Sequence, residues 1–183
     1  MSKAHIGFVG LGLMGRAMVS RLLDKGYTVS VLGNRDRTGI EDALARGAKE
    51  ASSARMLAEH ADIVMLCMGK SEHVEARVLG PDGLLEGIKP NQVVIDFGTS
   101  LPASTRKIGE LFAKKAAVFL DAPLGRTPSH AYEGKLNIMA AGPKETYFKI
   151  LPILHDLGEN VFHLGALGSG HTIKLINNFF AMT

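Results

Sequence analysis

Cysteine is nearly absent from this chain. Cys67 is the single one in 183 residues, so no intrachain disulfide is possible, and the usage suits a reducing, cytoplasmic compartment. It sits in Ile63-Val64-Met65-Leu66-Cys67-Met68, where a buried strand thiol is expected rather than a nucleophile. Aromatic residues amount to only 6%, and the formal charge of +3 comes from scattered basic residues. A nucleic-acid surface needs a basic face with interleaved aromatics, so nucleic acid is discounted as a partner. No apolar run is long enough to span a bilayer, which discounts a membrane span. The apolar run after Lys3 is broken by glycines and ended by Arg16, so it reads as a strand and not a signal peptide. Internal repeats and low-complexity linkers are missing, and the seven histidines show no pairwise ligand spacing, so no metal is implied.

The remainder is ordinary globular material. With 46% hydrophobic and 21% charged residues, the chain suits one domain with a proper core. Ala4-His5-Ile6-Gly7-Phe8-Val9 reads as a buried strand. Met14, Ala17, Met18, Leu22 and Leu23 then recur at helical spacing. Between them lies Gly10-Leu11-Gly12-Leu13-Met14-Gly15, a G-x-G-x-x-G turn in the strand–turn–helix setting that dinucleotide binding requires. Gly10 allows the turn, Gly12 lets a pyrophosphate approach the backbone, and Gly15 lets helix and strand pack closely. The N–H groups and positive dipole end of the helix then face the phosphates.

A second strand, Tyr27 to Leu32, ends where such a fold chooses its cofactor. An acidic residue there would accept hydrogen bonds from the ribose of NAD. Here Asn34 and Arg35 come first and Asp36 late. A guanidinium binds a phosphate bidentately whereas a carboxylate repels it, which favours NADP and leaves NAD possible.

Further along, residues 39–47 read as a helix, and Ser52 or Ser53 caps another before Asp62. Strands follow at 63–68, 92–96, 117–121, 136–141 and 160–163. Pro102 opens a helix capped by Thr99 or Ser100, and Pro143 opens one through His155. Alternating strands and helices predict an α/β, Rossmann-type doubly wound fold, with a mostly parallel sheet covered on both faces. A last helix begins at Gly168 and is apolar over much of its circumference, through Ile173, Leu175, Ile176, Phe179, Phe180 and Met182. Such a helix wants a cover, and the expectation is that this is the cofactor half of a longer protein.

On that helix Lys174, Asn177 and Asn178 share a face, an expensive combination on an apolar helix unless a ligand meets it. Thr99-Ser100 and Asp121 to Thr127 each follow a strand's carboxyl end, where α/β folds bind ligands.

These separated motifs together resemble the β-hydroxyacid dehydrogenase family, which includes 3-hydroxyisobutyrate dehydrogenase, tartronate semialdehyde reductase and 6-phosphogluconate dehydrogenase. The resemblance implies that Gly10 to Gly15 form the cofactor loop, with Met68, Gly69 and Thr99 also at the cofactor and Thr99 near the nicotinamide. It implies that Lys174 is the general acid beside a developing alkoxide as hydride is delivered, with Asn177 and Asn178 holding the lysine or the substrate hydroxyl. The segment Asp121-Ala122-Pro123 begins a substrate region that departs from the usual Val-Ser-Gly-Gly and continues as Leu124-Gly125-Arg126-Thr127. That segment resembles the sulfolactaldehyde reductase branch, which implies an anionic small-molecule substrate held by Gly125, Arg126, Thr127 and Ser100. Gly98 stands where the family has a serine, and Gly69-Lys70 where it often has Leu-Pro. The resemblance implies a cofactor domain over 1–165 and, over 166–183, the start of a long interdomain helix. A helical domain that closes the cleft and builds the homo-oligomer would follow. The alternative is a dinucleotide-binding module without catalysis, against which Lys174 argues.

Overall fold

Short β-branched runs alternate with amphipathic stretches, and in a computed structural model describing residues 3–33 and 36–181 they pair as parallel strands under helices. In chain order the elements are β1 (His5–Val9), α1 (Leu13–Asp24), β2 (Thr28–Leu32), α2 (Thr38–Ala45), β3 (Lys49–Ala51), α3 (Ala54–His60) and β4 (Ile63–Leu66). There follow α4 (Ser71–Leu79), α5 (Leu84–Gly87), β5 (Val93–Asp96), α6 (Pro102–Lys114), β6 (Val118–Asp121) and β7 (Leu124–Gly125). The last are α7 (Pro128–Glu133), β8 (Leu136–Ala140), α8 (Lys144–Leu157), β9 (Gly158–His163) and α9 (Ser169–Ala181).

The first sheet has the order β3-β2-β1-β4-β5-β6 and is parallel throughout. That is the doubly wound order, in which the chain reverses direction of travel between β1 and β4 and opens a crevice at their carboxyl ends. Successive side chains point to opposite faces, so each strand feeds two cores. Phe8, Val31, Met65 and Ile95 face one layer, beneath α1 and α8. Val9, Leu32, Leu66 and Val94 face the other, with Leu57 of α3, Val74 of α4 and Phe112 of α6. Gly7 belongs to the second face, where a Cβ would strike Leu57; its absence lets α3 seat closely on β1.

Several expectations need correcting. The edge strand β3 was not expected: Lys-Glu-Ala carries no apolar run, and it forms because Ser30, Val31 and Leu32 offer it a partner. The polar helix α4 was also missed, since only Ser71, Val74 and Val78 of it are buried. The described residues form two sheets. The second has the order β7-β8-β9, with β7/β8 antiparallel and β8/β9 parallel across α8, and meets the first through a bridge between Asp121 and Ala141. Ser53 caps α3 by accepting from the Met56 N–H at 3.1 Å. Neither Thr99 nor Ser100 caps α6, whose N-cap is Leu101 without a side-chain bond. The Ser100 hydroxyl is drawn inward by Asp96, a buried carboxylate that needs donors.

Candidate active site

The glycine turn is built as the motif requires. Gly10 has φ +98°, and a Cβ there would strike the Cys67 carbonyl and lie 3.0 Å from Met68 Cγ. A Cβ on Gly15 would strike the Gly10 carbonyl, so α1 starts against the strand end. Gly12 is the N-cap of α1, is exposed, and would place a Cβ with nothing within 4 Å. The first turn of α1 has no acidic residue and no side-chain cap, so its N–H groups point outward. Leu13 is 78% exposed beside them, with Leu11 and Met14 half-buried. The β4 loop completes the rim, since a Cβ on Gly98 would strike the Met68 carbonyl. The loops after β1, β4 and β5 therefore meet, bringing Gly10, Met68 and Gly98 together beside Gly69 and Thr99. These residues fit a dinucleotide: open backbone donors where a pyrophosphate sits and, among the described residues, no atom within 4 Å of a Cβ position on Gly12.

At the carboxyl ends of β2 and β3 a cavity of about 450 Å³ is lined by Leu32, Gly33, Arg37, Glu50, Ala51 and Ser52. Asn34 and Arg35, expected here, lie outside the described residues. Cys67 lies just past β4; burial, helped by the Asp96 charge, pushes its thiol up to about 12, so it is no nucleophile.

The other half of the site is organised by two aspartates that pair across the sheet, Asp96 ending β5 and Asp121 ending β6. Both are buried, 1% and 0% exposed. Asp121 accepts from the backbone N–H groups of Gly168 at 2.7 Å and His171 at 2.8 Å, so a strand-end carboxylate caps the first turn of α9. Gly170 permits this approach: a Cβ there would strike the Met139 carbonyl and lie 2.9 Å from Asp121 Oδ2. Asp96 accepts from the Gly98 N–H and the Ser100 hydroxyl, both at 2.8 Å.

Between the carboxylates lies His171, 0% exposed. Its Nδ1 is 2.8 Å from Thr105 Oγ1, whose hydroxyl donates to the Leu101 carbonyl, so Nδ1–H is the donor to Thr105. Among the described residues Nε2 has no hydrogen-bond partner, and it lies 3.8 Å from Asp96 Oδ2. Burial depresses the imidazole to about 4, although the Gly98 backbone pulls it back, so His171 is neutral at pH 7. Burial lifts Asp96 to about 6 against its bonds to Ser100 and Gly98, with the Asp121 charge adding to the lift. Asp121 is raised too, burial outweighing its backbone donors.

Lys174 stands one turn beyond His171 and is half-buried; burial lowers its ammonium below the ordinary lysine value. Asn178, one turn further, is half-buried, and Asn177 is exposed. The aspartate–histidine cluster was missed by sequence reasoning. The available signal was an aspartate ending each of two adjacent buried strands, with His171 on the first turn of a glycine-started helix.

The substrate segment is arranged differently. Gly125 lies in β7 against Asn137. Arg126 adopts φ +76°, and its guanidinium donates to the Lys135 carbonyl and to Glu159 Oε2, both at 2.6 Å. Thr127 is the N-cap of α7, and its hydroxyl bonds Ser129 at 2.7 Å and His130 at 2.8 Å. Ser100 is 2% exposed and its hydroxyl is committed to Asp96.

Comparison with known proteins agrees with this geometry. Residues 5–165 match the family model described as the NAD binding domain of 6-phosphogluconate dehydrogenase. A probable 3-hydroxyisobutyrate dehydrogenase-like 2 protein of Arabidopsis thaliana is 37% identical over 96% of this chain and 58% of its own length. The 3-sulfolactaldehyde reductase of Escherichia coli is 31% identical over 98% of this chain and 60% of its own. A solved structure of 3-hydroxyisobutyrate dehydrogenase from Mycobacterium tuberculosis with L-serine superposes with TM-score 0.90 at 28% identity, covering 97% of this chain and 60% of that one. The chain thus spans about 60% of the length of such relatives. With its parallel sheet, glycine turn and lysine-bearing last helix, the chain belongs to the family of the 6-phosphogluconate dehydrogenase NAD-binding domain, among the β-hydroxyacid dehydrogenases.

Proposed function

We propose that the protein carrying this chain is an NADP-preferring oxidoreductase interconverting a short aldehyde acid and its hydroxy acid, with Lys174 as acid and base. What carries this reading is the half-buried Lys174 on a helix pinned by Asp121 at the carboxyl ends of β5 and β6. Parallel α/β sheets bind their ligands at that edge. The nicotinamide, when bound, supplies or receives the hydride. Lys174 Nζ gives a proton to the carbonyl oxygen in reduction and takes one from the hydroxyl in oxidation. Its lowered proton affinity brings it closer to the pH at which both directions run. Asn178, with Asn177 beside it, orients the lysine or the substrate hydroxyl, and Thr99 helps to place the nicotinamide.

The relatives' names support a 3-hydroxyisobutyrate- or sulfolactaldehyde-type substrate, and the family resemblance adds a tartronate semialdehyde-type one. Gly125, Arg126 and Thr127 form its anion-binding side, and Arg126 exchanges Glu159 for the substrate anion; Ser100, expected among them, is buried with its hydroxyl given to Asp96 and supports the loop instead. Residues 1–165 form the cofactor domain and 166–183 begin the helix leading to a second domain. In the complete protein that domain covers the exposed apolar face of α9 around Ile173, Ile176 and Phe179 and builds a homo-oligomer, which works in the cytoplasm.

The test is loss of NADPH absorbance when the protein carrying this chain meets sulfolactaldehyde or methylmalonate semialdehyde. Turnover that disappears in Lys174→Ala, with NADPH still bound, is the expected result. Binding without turnover on either aldehyde would reduce the chain to a cofactor module.

A further inference from the structure

The cavity at the ends of β2 and β3 holds both signs of charge. Arg37, at the start of α2, donates through Nη1 to Glu50 Oε1 at 2.6 Å and through Nη2 to Glu50 Oε2 at 2.9 Å. The fork lies across Gly33, where a Cβ would strike the Glu50 carboxylate and lie 2.8 Å from Arg37 Nη1. Glu50 reaches this place because β3 pairs in parallel with β2 and sets Glu50 beside Val31. Both side chains remain accessible, 44% and 33%, so the pair can open toward a ligand.

We infer that Glu50 is a cofactor-specificity residue: its carboxylate competes with the 2′-phosphate of NADP for the Arg37 guanidinium and so tempers the preference for NADP over NAD. The inference rests on the reading that this chain binds a nicotinamide dinucleotide. In a sheet of this order the adenosine ribose belongs beyond the second strand, where a carboxylate favours the free 2′-hydroxyl and an arginine the 2′-phosphate. Glu50 occupies the Nη1/Nη2 edge of the guanidinium, so a phosphate that takes that edge displaces it and one that takes the Nε side still meets its charge. Displaced but not removed, Glu50 still repels a phosphate dianion. The pairing with Arg37 holds the Glu50 carboxyl below its ordinary value, so the carboxylate is charged at neutral pH. With NAD no exchange is needed, and Glu50 can accept from a ribose hydroxyl while still paired.

The test is calorimetric titration of NADP⁺ and NAD⁺ into the protein carrying this chain, as wild type, Glu50→Gln, Arg37→Gln and the double variant. A thermal melt on each checks the fold, which an exposed pair leaves intact. Glu50→Gln is expected to shift the affinity ratio toward NADP by about fivefold to tenfold, the scale of losing an exposed ion pair and a nearby repulsion. Arg37→Gln shifts the ratio toward NAD, and the double variant behaves like Arg37→Gln. A ratio unchanged within about twofold in Glu50→Gln overturns the inference while leaving dinucleotide binding in place. A double variant that behaves like Glu50→Gln overturns it too, since Arg37 is then not the group contested. A wild-type protein that binds neither nucleotide overturns the functional reading itself, and this inference with it.

Discussion

Asp96 and His171 place two opposite pH dependences side by side in one buried site, and single substitutions should separate them. Asp96 rises from 3.8 to about 6 on folding, so the folded state holds a proton there that the unfolded chain has released. That contribution is fully present below pH 3.8 and is lost as pH rises through about 6. His171 falls from 6.5 to about 4, so the unfolded chain holds the extra proton, and stability is lost as pH falls from 6.5 through about 4. At about 1.4 kcal/mol per tenfold in proton affinity, each group carries about 3 kcal/mol. Between about pH 4 and 6 the two slopes nearly cancel in the wild type. Asp96→Asn removes the first, so its stability relative to wild type should climb by about 3 kcal/mol from pH 4 to pH 6. His171→Asn removes the second, and its relative stability should fall by about as much over that range. Reading each variant against wild type cancels the surface carboxylates common to all three. Urea unfolding at four pH values supplies the numbers. Two variants that run parallel to wild type across the range would refute the argument, since both groups would then titrate as they do in the unfolded chain.

Other substitutions test other parts of the site. Asp121→Ala strands the Gly168 and His171 N–H groups in a buried site and should cost about 2–5 kcal/mol of unfolding free energy, whereas Asp121→Asn keeps one acceptor and should cost about half. The glycine turn separates packing from ligand approach. Gly15→Ala drives a Cβ into the Gly10 carbonyl and should lower stability by about 1–3 kcal/mol in thermal or urea unfolding. Gly12→Ala meets nothing within 4 Å among the described residues and should leave stability unchanged while weakening NADPH binding in a fluorescence titration.

Legibility in the sequence followed range of interaction. The strand–glycine–helix unit at 5–24 was readable because its turn, periodicity and packing all lie within twenty-odd neighbouring residues. The parallel strands β4, β5 and β6 were readable as apolar runs because both their faces are buried. β3 was not, since Lys49-Glu50-Ala51 owes its conformation to β2 rather than to its own side chains. The consequence reached the site, because Glu50 acquires meaning only once that pairing sets it opposite Arg37. Lys174 and the asparagines were readable as polar residues misplaced on an apolar helix. The acceptors that pin this helix were not, because Asp121 is 47 residues from Gly168 along the chain. Ser100 shows the same limit: its position suggested a cap, but a buried carboxylate nearby took the hydroxyl.

In the proposed reaction Lys174 supplies the proton while the nicotinamide exchanges hydride with a carbonyl carbon. The most direct test follows deuterium from NADPH labelled at both C4 positions of the nicotinamide into the product, with the protein carrying this chain and its Lys174→Met variant. Deuterium is expected on the carbinol carbon with the wild type, and the variant is expected to bind NADPH but form no labelled product. Unlabelled product from the wild type, or labelled product from Lys174→Met at the wild-type rate, would contradict it.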